Sequence, residues 1–101
     1  MRKLSDKTFD KHRTEGTTMI VMFHAEFSGP CRMAMPEFEL AAGRAGNRVH
    51  FYTFDLDGNP NTPEKYGVKG VPQFIVFEDG KPVRPTVGAL DCDTILGLLD
   101  D

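Results

Sequence analysis

With 101 residues and 40% hydrophobic content, the chain can bury one core and form one domain, residues 1–101, without a metal or disulfide staple. Twelve Lys and Arg against fifteen Asp and Glu leave a formal charge of −3. No basic stripe accompanies that balance, so nucleic acid is not an expected partner.

No apolar run approaches the roughly 20 residues of a membrane span. No apolar segment follows the charged start Met1–Lys7, so no secretory leader is read there. Two cysteines, Cys31 and Cys92, make no disulfide framework, and a reducing, cytoplasmic setting is expected. His12, His24 and His50 are scattered, without zinc-like spacing to each other or to a cysteine. Neither a metal nor a cofactor is expected.

In chain order, Leu4 to Phe9 reads as a helix start, with Ser5 as N-cap and Leu4 and Phe9 at the two positions of a hydrophobic staple. Gly16 ends this segment. Thr17 to Phe23 is a continuous apolar and β-branched run, as expected of a central strand covered on both faces. The period then changes. Cys31, Met35, Phe38, Ala42 and Ala45 recur three or four apart and mark a helix face. Pro30 stands in its first turn, where a missing N–H has no helical partner, and Pro36 lies inside it, predicting a kink.

Val49 to Leu56 is a second core strand, closed by Asp57-Gly58-Asn59-Pro60. Thr62 followed by Pro63 predicts a capped helix of one or two turns, stopped by Gly67. Phe74 to Phe77 is a third core strand, and Asp79-Gly80 marks a hairpin. The returning strand holds Pro82 and Pro85, which cannot donate to a ladder, so it belongs at a sheet edge. Asp91 caps a last helix with Ile95, Leu98 and Leu99 on its apolar face. Strands joined through a long helix run parallel and the hairpin pair antiparallel. The fold class is therefore α/β, with a mixed central sheet flanked by helices on both faces.

The stretch Phe23-His24-Ala25-Glu26-Phe27-Ser28-Gly29-Pro30-Cys31-Arg32-Met33 resembles the active-site segment of the thioredoxin family. Pro36 matches that family's kinked helix. Asp55-Leu56-Asp57, Asn59-Pro60 and Lys65-Tyr66-Gly67-Val68-Lys69-Gly70-Val71-Pro72 resemble its second landmark. Phe77 to Lys81 and Val87-Gly88-Ala89-Leu90 resemble its closing hairpin and the glycine beside the site. The landmarks span nearly the whole chain in order, and the resemblance implies the thioredoxin fold with Pro72 cis.

The same resemblance places the family's attacking cysteine on Ser28 and its resolving cysteine on Cys31. It puts the preceding tryptophan on Phe27, an upstream tryptophan on His24, a buried aspartate on Met22 and that residue's lysine partner on Thr53. Disulfide exchange starts with a thiolate attacking sulfur and ends when a second thiol resolves the mixed disulfide. A serine hydroxyl does not ionise at usable pH and forms no comparable bond to sulfur, so Ser28 ends the dithiol cycle and suits an N-cap instead. A hydrolase reading of His24 with Ser28 lacks a base positioned by the sequence.

Three functional readings follow. The first is a redox-silent module that binds a protein or extended peptide over Phe27, Gly29, Pro30, Val71, Pro72, Gly88 and Ala89. The second is a monothiol oxidoreductase of cell redox homeostasis using Cys31, with glutathione as a possible external thiol. The third is an active reductase into which Ser28 was introduced. A packed, inert Cys31 stands against the second reading. Cys92, beside Asp91 and Asp93, is expected to lie too far from Cys31 to bridge.

Overall fold

The computed structural model describes residues 1–100. Its elements, in chain order, are β1 (Arg2–Leu4), α1 (Phe9–Arg13), β2 (Met19–His24), α2 (Gly29–Ala45), a short 3-10 turn (Gly46–Arg48), β3 (His50–Asp55), α3 (Asn61–Lys65), β4 (Gln73–Glu78), β5 (Lys81–Val87) and α4 (Cys92–Gly97). The strands form one sheet in the order β1-β3-β2-β4-β5. β3 runs parallel to β1 and β2, while β4 runs antiparallel to β2 and β5.

Successive side chains on a strand point to opposite faces, and β2 divides its apolar run accordingly. Ile20 and Met22 join Phe38, Phe51, Phe74 and Ile95 on one face. Met19, Val21 and Phe23 join Phe9, Phe54 and Phe77 on the other. α2 and α4 cover the first face, and α1 with the chain around Tyr66 and Val68 covers the second. The mixed sheet with helices on both sides is the expected class. α2 runs unbroken through Pro36, and its sheet-facing line is Cys31, Ala34, Phe38, Ala41 and Ala45. Met35 and Ala42 flank that line, half-buried.

Four local expectations need correction. Arg2–Leu4 is an edge strand, a segment too short to show a period in the sequence. Ser5 does not cap through its hydroxyl. Its carbonyl accepts the N–H groups of Thr8 and Phe9 at 3.1 and 2.9 Å, and its own N–H donates to Thr8 Oγ1 at 3.0 Å. Thr62 is not the cap of α3; the carboxylate of Asp6 accepts the N–H groups of Asn61 and Thr62 at 2.9 and 2.8 Å. Pro63 falls third in that helix, still within the turn whose N–H groups have no helical partner.

The proline-bearing strand β5 does lie at the edge. It carries a bulge, since Phe74 and Val76 pair with Thr86 and Val83, leaving Arg84 and Pro85 opposite Ile75 alone. Arg84 sits at φ 50°. Its Nε donates to the Leu98 carbonyl at 2.7 Å, and its Nη2 donates to Glu78 Oε2 at 2.8 Å, tying the edge to the end of α4. α4 itself starts as expected, with Asp91 Oδ1 accepting the Thr94 N–H at 2.9 Å. Glu37 of α2 adds a second acceptor, for the Cys92 N–H at 2.9 Å.

Candidate functional site

Sheet register brings the chemically interesting loops together. Phe23 of β2 pairs with Gln73 of β4, which pairs with Val87 of β5, and His24 pairs with Asp55 of β3. The loop after β2, the turn before β4, the loop after β5 and the exit of β3 therefore emerge at one end of the sheet. α2 begins there.

Ser28 has extended backbone (φ −89°, ψ 120°), and its Oγ accepts the Cys31 N–H at 3.3 Å. Its carbonyl accepts the Arg32 N–H at 3.1 Å, and its own N–H closes a turn on the Ala25 carbonyl at 3.2 Å. This is the N-cap geometry that a small hydroxyl favours. Phe27, one residue earlier, is 88% exposed, whereas Cys31 is 3% exposed. Cys31 and Cys92 are both buried free thiols.

The Val71–Pro72 peptide is cis. Pro72 is buried, Val71 half-buried, Pro30 and Ala89 exposed, and Gly29 half-buried. The Pro72 carbonyl accepts the Gly88 N–H at 2.9 Å. Gly88 has φ 131°, a conformation closed to residues with a Cβ. A side chain on Gly70 would meet Val87 Cγ1 at 3.3 Å, so the turn before β4 lies directly against the end of β5.

Beneath this end, Met22 faces Thr53 in register across β2 and β3. Met22 is fully buried and Thr53 is 5% exposed. Among the described residues, no buried side-chain nitrogen or oxygen lacks a hydrogen-bond partner. His24 is half-buried at the end of β2. Desolvation holds its imidazole below the ordinary histidine range, opposed by the charge of Asp55 and assisted by that of Lys3.

Between two loops at this end lies a feature that no local sequence pattern marks. A groove of 520 Å³ is lined by Ala25, Glu26, Phe27, Ser28, Leu56 and Asp57. Only the spatial approach of the β2 and β3 exits creates it, and the sole sequence signal is Leu56, an apolar residue left at a strand end between two aspartates. A hollow of 650 Å³ near Arg2, Glu39 and His50 lies at the other end of β3, away from Ser28, Cys31 and the Val71–Pro72 turn. Among the described residues, no three His, Cys, Asp or Glu side chains come together to hold a metal.

A five-stranded mixed sheet with this strand order, a capped helix start and a cis-proline turn at one end defines the thioredoxin-like class of α/β domains. The thioredoxin family model matches residues 1–101, and the chain belongs to that family. A protein named thioredoxin from Rhodospirillum rubrum is 38% identical over 92 residues, covering 89% of this chain and 88% of that protein. One of the same name from Staphylococcus epidermidis is 37% identical over 98 residues, covering 97% and 93%. Another from Acidithiobacillus ferridurans is 35% identical over 98 residues, covering 96% and 91%. No helix among the described residues is long and apolar enough to cross a membrane.

Proposed function

We propose that the chain is a thioredoxin-fold binding module that presents Phe27 and the Val71–Pro72 turn to a protein or extended peptide and does not run the dithiol cycle. The observation that carries this reading is the Ser28 hydroxyl accepting the Cys31 N–H at 3.3 Å, where the family resemblance places the attacking sulfur. With oxygen at that point, no mixed disulfide forms there and Cys31 has nothing to resolve. Met22 and Thr53 support the reading. They replace a buried charged pair with groups that need no counter-charge, a change that costs little once proton transfer has no task. A reducing, cytoplasmic setting suits two free buried thiols.

The competing monothiol reading rests on Cys31 standing in the first turn of α2, three residues after its cap. In that reaction the Cys31 thiolate attacks a partner disulfide and expels one thiolate. An external thiol such as glutathione then resolves the mixed disulfide. Alkylation of the folded protein across neutral and alkaline pH, with mass spectrometry of each cysteine, separates the two readings. The binding module leaves Cys31 and Cys92 unlabelled until the chain unfolds. Rapid labelling of native Cys31, or turnover of a protein disulfide without an added small thiol, overturns it.

A further inference from the structure

Building on the binding-module reading, we propose that the groove between Phe27 and Asp57 takes a lysine or arginine of the bound segment, its stem on Phe27 and Leu56 and its head on the carboxylates of Glu26 and Asp57. Three observations carry this. First, the groove joins a larger apolar surface to an acidic one. Phe27 and Leu56 supply its carbon surface, Glu26 and Asp57 supply two carboxylates, and no cationic residue lines it. A long basic side chain matches that division, because its methylenes cover apolar surface while its charged end reaches outward. An arginine head adds attraction to the face of an exposed ring.

Second, the fold does not use these two carboxylates. Four other acids, Asp10, Glu15, Glu78 and Asp93, are held in ion pairs. Asp6, Glu37, Asp55 and Asp91 accept backbone N–H groups. Glu26 and Asp57 have no side-chain partner among the described residues and are both exposed. Third, desolvation holds the neighbouring His24 below the ordinary histidine range, which disfavours a positive charge on its ring beside the two carboxylates. Two carboxylates without a third ligand make a poor metal site, which leaves an organic cation as the better match.

The test uses fluorescence-labelled extended peptides that share one large apolar residue and differ at the adjacent position, carrying Arg, Lys, Gln or Glu. Anisotropy titrations at low and high salt are run on the wild-type chain, on Glu26→Gln/Asp57→Asn, on Phe27→Ala and on the control Glu64→Gln. The expected result is a preference for Arg and Lys over Gln of about three- to fivefold at low salt, with Glu weakest. That preference fades at high salt, disappears in Glu26→Gln/Asp57→Asn and survives in Glu64→Gln. Equal binding of all peptides, or a preference that persists in the double variant, overturns the groove assignment and leaves the binding module standing. Binding of none, with circular dichroism showing a folded chain, overturns both. Sedimentation velocity across a wide concentration range covers the remaining occupant. Self-association lost in Phe27→Ala would assign the groove to a second copy of the chain and overturn the proposal.

Discussion

At residue 28 a single oxygen has two consequences, one chemical and one structural. Its chemical consequence, under the proposed function, is that no sulfur stands there to attack a disulfide; its structural one is a hydrogen bond to the Cys31 N–H. The second is measurable without any assay of activity. Ser28→Ala removes the acceptor and is expected to lower stability by about 0.5–2 kcal/mol in urea unfolding. Ser28→Gly costs only a few tenths of a kcal/mol by the same principle, so the two variants together separate the cap from mere side-chain volume.

Met22 offers the sharpest test of coherence between neighbours. It is fully buried and faces Thr53 in register, so Met22→Asp places a carboxylate in a core with no cation to meet it. We expect a loss of about 3–5 kcal/mol at neutral pH, partly relieved on acidification as the carboxyl takes up a proton. Met22→Asp/Thr53→Lys should recover part of that loss, because the strand register sets the two side chains on one face. A double variant no more stable than Met22→Asp alone would show that these positions do not couple.

The elements of this fold are short, and several are held by groups far away in the chain. α3 spans five residues, too few to persist by propagation of its own hydrogen bonds. Asp6 supplies two of its missing acceptors, while Asn59 Oδ1 returns one to the Asp6 N–H at 3.0 Å. This exchange ties the start of α1 to the start of α3. Asp6→Ala is expected to destabilise the protein by about 1 kcal/mol. Hydrogen exchange should rise first at Asn61 and Thr62, and uniform loss of protection across all elements would refute a local clamp.

For the whole molecule, the titrating groups predict a stability that declines on acidification in two stages. Desolvation lowers the His24 value from 6.5, so the unfolded chain takes up the proton first, and stability falls as pH drops below 6.5 towards the folded value. His24→Gln should flatten that first decline in urea midpoints measured against pH. Asp6 and Asp91 act later. Burial raises the Asp6 value, but hydrogen bonds from Asn61 and Thr62 outweigh it and bring the carboxyl below 3.8. The Thr94 side chain and N–H lower Asp91 likewise. Their contribution is complete above the unfolded carboxylate range and is lost as pH falls through the lowered folded values. Asp6→Asn and Asp91→Asn should each shallow this second decline and leave the first unchanged.

Much of this architecture is legible in the sequence because its signals are local. The apolar run at Met19–Phe23, the spacing through Phe38, the prolines of the edge strand and the caps at Ser28 and Asp91 depend on residues no more than a few positions apart. The serine at position 28, on which the proposed binding role rests, is likewise legible as a single residue. What tertiary structure alone decides is which distant groups meet. β1 is a strand only because β3 lies beside it, pairing Arg2 with Tyr52. α3 is capped by Asp6, 55 positions before Asn61. Phe27, Leu56 and Asp57 share a groove because β2 and β3 leave the sheet at the same end. A three-residue strand, a borrowed cap and a groove between two loops have no period or neighbouring signal of their own; sheet register supplies the proximity that creates them.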